Sequence, residues 1–255
     1  MILEARNLTV SIGPHRVCDG LDLALAPGER LAILGRNGAG KSTLLATLAG
    51  LREPDAGVLR LDGMAYGELD LRDAARRRGW LGQDRNDPFA STVLETVLTG
   101  RHPHLGRWAW ESAADADIAR AALAAMGLAG MEAREVQTLS GGERQRTAIA
   151  ALLAQQPGLY LLDEPLAHLD LNHQIAALGV LSARAREGAA VAMVLHDPNF
   201  AQRFCDRALL LFGDGRHAEG PVLDVLNEDS LSRLYGHPLL RISVPPFDRP
   251  LFVPE

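Results

Sequence analysis

Short apolar runs bounded by turn residues fill the first part of the chain. Residues 2–10 and 17–25 read as strands joined by a turn at Gly13-Pro14, and Pro27-Gly28 marks a second turn. Residues 30–35 form a short apolar strand, followed by a glycine-rich loop and a helix over about 41–50. Further strands are predicted at 57–62 and 80–82. The pattern then changes: residues 90–136 are alanine-rich with few β-branched runs, and 91–100 and 113–126 read as helices. Strands return at 158–162, 190–195 and 207–212, with helices over 143–155, 171–187 and 198–205. This alternation predicts an α/β core with largely parallel strands, interrupted by a helical insertion. Four prolines in residues 241–255 predict an extended tail. The expected division is a core over 1–88 and 137–240, a helical subdomain at 89–136 and a tail at 241–255.

Two of the apolar strands end in residues suited to chemistry. After the strand at 30–35, Gly35, Arg36, Asn37, Gly38, Ala39, Gly40, Lys41, Ser42 and Thr43 fit the pattern G-x-x-x-x-G-K-[ST]. Glycines let backbone N–H groups curl around phosphate oxygens without Cβ clashes, and the following helix turns its positive end toward the same anion. Lys41 is placed to reach the β/γ-phosphates and Ser42 to ligate Mg²⁺. The strand at 159–162 ends in Asp163-Glu164. Two adjacent carboxylates at a buried strand end need a cation or a proton. Asp163 is read as a Mg²⁺ ligand, through water, and Glu164 as the general base.

A third segment, Leu139-Ser140-Gly141-Gly142-Glu143-Arg144-Gln145, opens a helix with a serine and two glycines and forms a second anion site. One nucleotide does not need two such sites in one chain, so this one is expected to serve another protomer's nucleotide. Gln83, the Leu169-Asp170 loop and His196 complete an ordered set. With these motifs in this order, the sequence closely resembles the ABC ATPase family over about residues 2–238. The resemblance implies an α/β fold: a P-loop NTPase (RecA-like) core with an antiparallel β subdomain and an inserted α-helical subdomain. It implies a homodimer, head to tail, that sandwiches two ATP molecules with Mg²⁺. Each site would join one subunit's loop to the other's Ser140, Gly141 and Gly142. Gln83 would sense Mg²⁺ and the lytic water, Asp170 would contact the facing protomer, and His196 would hydrogen-bond the γ-phosphate.

Three positions depart from the family pattern. Glu143 stands where Gln is frequent, and Leu166 where Thr is common. Ile12 occupies the place of the aromatic ring that stacks on adenine, with His15 nearby, which leaves base selectivity open.

The segment Gly100-Arg101-His102-Pro103-His104-Leu105-Gly106 is similar to that of bacterial importer ATPases for metal chelates such as ferric siderophore, haem or cobalamin. That resemblance implies transmembrane permease subunits as partners, and a periplasmic or surface substrate-binding protein indirectly. The location implied is peripheral, on the cytoplasmic face of the inner membrane. The rival reading is a soluble ABC ATPase acting in iron–sulfur cluster assembly. His102 and His104 are expected to contact the membrane partner rather than a metal. The run Arg76-Arg77-Arg78 is expected to end a helix, where cations complement the dipole. Trp108 and Trp110 belong either to the core or to a docking surface.

Composition narrows these readings. A net charge of −6 argues against a general nucleic-acid-binding surface. No apolar run approaches the ~20 residues of a membrane span, so a membrane role must act through a partner. The N-terminus lacks the layout of a signal peptide. Cys18 and Cys205 lie far apart outside any metal-like spacing, and are expected as unpaired thiols in a reducing compartment.

Overall fold

The computed structural model describes residues 1–83, 90–106, 108–243, 245 and 249–255. The chain opens with the antiparallel pair β1 (Leu3–Ile12) and β2 (His15–Leu25), then β3 (Arg30–Gly35) and α1 (Lys41–Leu48). β4 (Ala56–Leu61) pairs with β1, and β5 (Met64–Ala65) pairs with β4. α2 (Leu71–Arg77) leads into β6 (Arg78–Leu81). Helical elements follow: α3 (Val93–Leu98), a 3-10 turn over Thr99–His104, α4 (Ala113–Ala125) and α5 (Gly141–Gln155). Next come β7 (Leu159–Leu162), α6 (Leu171–Arg186), β8 (Ala190–Val194), α7 (Pro198–Phe204), β9 (Arg207–Leu211) and β10 (His217–Pro221). α8 (Val222–Val225), α9 (Glu228–Tyr235), β11 (Leu239–Ile242) and β12 (Leu251–Pro254) complete the fold.

A four-stranded sheet runs in the order β2-β1-β4-β5, and a six-stranded sheet in the order β10-β9-β3-β8-β7-β6. In the larger sheet every neighbouring pair is parallel except the β10–β9 edge. Its central strands are almost wholly apolar because both faces are covered, with the charged Arg30 and Arg207 only at the first positions of β3 and β9. The pleat sends alternate side chains to two cores. Leu31, Ile33, Leu159, Leu161, Ala192 and Val194 join the core beneath α1 and the antiparallel sheet. Ala32, Leu34, Tyr160, Leu162, Val191 and Met193 join the core of the α3, α4, α5 and α6 side.

The predicted elements lie within a few residues of these bounds, with physical reasons for each shift. The helix expected at 91–100 stops at Leu98 and tightens into the 3-10 turn. Pro103 cannot donate to an α-helical ladder. There Gly100 packs on α5 so closely that a Cβ would lie 2.1 Å from the Ala151 carbonyl oxygen. Arg76 and Arg77 do close α2, while Arg78 starts β6. The proline-rich end is not a free extended strand: β11 and β12 pair antiparallel, and Phe252 is buried in the core. The expected boundary between residues 88 and 89 lies outside the described residues. No helix among the described residues is long and apolar enough to cross a membrane.

Candidate nucleotide site

Four parallel neighbours, β3, β8, β7 and β6, point the same way, so their C-terminal ends share one sheet edge. Ligands bind at that edge in open α/β sheets. β3 runs into the glycine loop, β7 into Asp163-Glu164, β8 into His196 and β6 into Gln83. A cavity of about 370 Å³ there is lined by Ile12, Asn37, Gly38, Gly40, Lys41, Ser42, Thr43, Gln83, Glu164 and His196. Residues as far apart in the chain as Asn37 and His196 thus meet at the parallel strand ends, and Ile12, the last residue of β1 in the antiparallel sheet, joins them on the cavity wall.

The loop has the shape the pattern demands. Gly38 and Gly40 adopt φ of +82° and +89°, which side chains disfavour. A Cβ on Gly40 would lie 2.3 Å from Val17 Cγ2, so no larger residue fits. Gly40 caps α1, directing the helix's free N–H groups at the cavity. Lys41 is 6% exposed and donates from Nζ to the Gly35 and Arg36 carbonyls at 2.9 and 3.1 Å. Burial lowers its pKa, while the Glu164 and Asp163 carboxylates raise it. Gly35 and the buried Ala39 support the loop behind the cavity wall: a Cβ on Gly35 would lie 2.8 Å from the Leu211 carbonyl oxygen.

The carboxylate pair divides into a buried and an accessible member. Asp163 is 2% exposed, and its Oδ1 is buried without a partner. Burial pushes its carboxyl up, and a hydrogen bond from the Ser42 hydroxyl pulls it down. An orphaned carboxylate oxygen beside a serine hydroxyl suits a hard divalent cation, so the residues present fit Mg²⁺. Glu164 sits at φ +49°. Its carboxylate lies 3.3 Å from Gln83 Nε2 and 2.9 Å from His196 Nε2. The general-base candidate is therefore held between Gln83 and His196, which the fold brings to it from two other strand ends.

Ser140, Gly141, Gly142 and Asp170 are not brought to this cavity. Ser140 caps α5: its hydroxyl accepts from the Glu143 N–H at 3.2 Å, and Glu143 Oε2 accepts from the Ser140 N–H at 2.8 Å. Glu143 also pairs with Arg134 at 3.0 Å, which accounts for an acid at this position. The two glycines pack against His168, where a Cβ on Gly142 would meet its carbonyl oxygen at 2.9 Å. Asp170 caps α6, accepting from the His173 N–H at 2.9 Å.

Of the two histidines expected to contact the membrane partner, one turns inward and the other stays on the surface. His104 Nε2 lies 2.8 Å from the Gln155 carbonyl oxygen and is half-buried, so it closes an internal contact. His102 is exposed and lies 3.5 Å from Glu111. Arg101 is buried, bonding Asp115, the Ala154 carbonyl and Gln156 at 2.9, 2.9 and 3.1 Å. Among the described residues no cluster of His, Cys, Asp and Glu could hold a metal on its own. Trp108 and Trp110 lie outside the core, 87% and 89% exposed. Cys18 and Cys205 are both free and buried.

Sequence reasoning assigned no role to Gln145 beyond its place in the motif. Its buried Nε2 donates to the Pro165 carbonyl at 2.8 Å and to the Glu164 carbonyl at 3.4 Å. The helix that carries Ser140 is thus tied to the main chain of Glu164. The available signal was weak: Gln145 lies at helical spacing from the apolar Ile149 and Leu152, so it falls on the inward face of α5.

Strand-end carboxylates facing a glycine loop with a buried lysine equip a protein to hydrolyse a nucleoside triphosphate. The chain belongs to the ABC transporter family, whose model matches residues 18–167. It is 45% identical to the hemin import ATP-binding protein HmuV of Nocardia farcinica, across 93% of this chain and 83% of that protein. An inward-facing ABC transporter structure assigned to the metal-chelate type superposes with a TM-score of 0.86. It is 30% identical, covering 100% of this chain and 97% of that one. A dimeric bacterial ABC transporter cassette superposes with a TM-score of 0.75 at 27% identity, covering 86% and 98%. This chain is accordingly an ATP-binding, ATP-hydrolysing transporter subunit that uses ATP and Mg²⁺. The family works as a dimeric ATPase paired with a transmembrane permease.

Proposed function

We propose that this subunit energises import of a metal chelate, with hemin the leading cargo, from the cytoplasmic face of the inner membrane. The import and cargo reading is supported by the 45% identity to a hemin import ATP-binding protein, and the hydrolytic role is carried by Glu164, bonded to Gln83 and His196 at the rim of the phosphate cavity. Glu164 orients a water for in-line attack on the γ-phosphate, with His196 and Lys41 stabilising the charge that spreads there. Asp163, Ser42 and Gln83 are the residues that would hold Mg²⁺, which supplies charge neutralisation between the phosphates when bound. Gly35, Asn37, Gly38, Ala39, Gly40 and Thr43 cradle the phosphates through the loop.

Two copies close head to tail, so that one subunit's Ser140, Gly141, Gly142 and Asp170 complete its partner's site. Support comes from the position of these residues outside their own chain's cavity. The division proposed is an ATPase core over 1–88 and 137–240, a helical subdomain over 89–136 and the terminal segment. A groove between core and helical part, lined by Trp80, Thr96, Thr99, Gly100, Arg144 and Gln155 among others, suits the permease's cytoplasmic contact. A substrate-binding protein outside the membrane would deliver the cargo. The relatives reported above carry import and transport names, and none is an assembly factor for iron–sulfur clusters.

Capturing the tagged chain from detergent-solubilised membranes tests this reading. Recovery of a multi-span protein that changes the ATPase rate, followed by ATP-dependent hemin uptake in vesicles carrying that complex, is the expected result. Recovery of soluble partners alone would overturn the transport role. A coupled permease that moves no hemin but moves a ferric siderophore would correct the cargo.

A further inference from the structure

The turn that carries His196 has little secondary structure to hold it. β8 ends at Val194, Leu195 makes the last sheet bond to the Ile33 carbonyl at 3.1 Å, and α7 begins at Pro198. His196 lies between them, exposed, in a bend. Its carbonyl oxygen accepts from the Tyr235 hydroxyl at 3.0 Å, across 39 residues of sequence.

Tyr235 is itself firmly placed. It is the last residue of α9, whose Leu231 and Leu234 are buried in the core. Asn227 caps the helix start and Gly236, at φ +70°, ends it. Ser232 accepts from the Leu239 N–H at 2.9 Å, which ties α9 to β11. On the far side of the same turn, Asn199 exchanges two hydrogen bonds with Phe252: Phe252 N–H to Oδ1 at 2.8 Å and Nδ2 to the Phe252 carbonyl at 3.1 Å. The C-terminal segment therefore grips the His196 turn at both ends. Burial and the Asp197 charge push the Tyr235 phenol up to about 12, so it remains a donor at physiological pH.

We infer that Tyr235 is a positioning residue for ATP hydrolysis, its hydroxyl holding the His196 main chain so that the imidazole stays at Glu164 and the cavity rim. The inference rests on the role given above to His196. A side chain 2.9 Å from the general base is sensitive to displacement of its own backbone, because a shift of about 1 Å can cost catalysis heavily. The loop at 35–43, which makes most of the phosphate contacts, is not moved by the same shift, so the loss is expected to fall on kcat rather than on nucleotide binding.

Tyr235→Phe in the full-length chain removes only the hydroxyl and keeps the ring packed. The expected result is a kcat lower by about five-fold, with KM for ATP and nucleotide Kd unchanged. In a His196→Ala background the same substitution leaves the residual rate unaltered, since Tyr235 acts through His196. A further loss of equal size in that background, or weaker binding with kcat intact, would show a merely structural hydroxyl and overturn the proposal. His196→Ala with wild-type kcat would sink the His196 role and this inference together. A strong His196→Ala defect beside a fully active Tyr235→Phe would sink the inference alone.

Discussion

Asp163 and Glu164 are adjacent in sequence and yet see different surroundings. Asp163 faces inward, buried with one orphaned oxygen, while Glu164 turns to the cavity through a left-handed backbone. Glu164→Gln keeps the shape and the contact distances but cannot accept a proton. ATP hydrolysis should fall by roughly 100- to 10,000-fold with ATP binding retained. Turnover at the wild-type rate, measured by phosphate release, would remove Glu164 as the base. Asp163 makes a second test through stability. Burial raises its folded-state pKa, so the favourable contribution is full below the unfolded value, about 4, and is lost as pH rises through the folded one. Asp163→Asn should therefore melt above the parent at pH 7 without nucleotide, the gap closing at acid pH. The variant should also lose Mg²⁺-dependent hydrolysis, and a lower Tm at pH 7 would contradict the burial argument.

At the scale of elements, the segment after α3 is an internal clip. Gly100 admits the Ala151 carbonyl, and Arg101 reaches Asp115 on α4 and the C-terminal end of α5. The Ser112 hydroxyl and amide, then the Arg101 guanidinium, hold the Asp115 carboxyl well below the usual carboxylate range. A depressed folded pKa contributes stability that is present above the unfolded value, about 4, and is lost as pH falls through the folded one. Asp115→Asn should lower Tm at neutral pH, and the difference from wild type should shrink as the solution is acidified below about pH 4. A gap independent of pH, read from thermal melts, would mean that the charge is not what matters. The motif that suggested an importer subgroup thus has a structural cause of its own: it fastens the helical part together. The Gln145 bond to the Glu164 and Pro165 carbonyls links α5 to the hydrolytic strand end in the same way.

For the whole molecule, the open question is which chain completes which site. Mixing Lys41→Ala chains with Ser140→Arg chains gives a direct answer. In a head-to-tail dimer the mixed species contains one site with both residues mutated and one with neither. Two separately inactive proteins should then regain about a quarter of wild-type ATPase activity on mixing, if half the dimers are mixed and each intact site works alone. No recovery, with mixed dimers demonstrated by differential tags, would place both motifs in one chain's site.

Much of this was legible from one-dimensional pattern. The phosphate loop is contiguous, its glycines are required locally, and its flanking strand and helix are read from apolar periodicity. The α/β alternation and the carboxylates at the end of β7 follow from the same local rules. The elements after 217 were not legible: β10, α8, α9 and the β11–β12 pair are short, and Phe252 is buried only because α7 offers Asn199 and the core offers space. Ile12 shows the same division, since the sequence marks its missing ring but only the fold sets it on the cavity rim. Sequence determined which residues could bind phosphate, Mg²⁺ and a lytic water, because those demands are met within a loop or a strand end. Tertiary structure decided that Gln83, Glu164 and His196 meet, that Ser140 to Gly142 do not join them, and that Tyr235 holds His196. Those outcomes depend on strand order, parallel direction and packing between segments far apart in the chain, which no local pattern encodes.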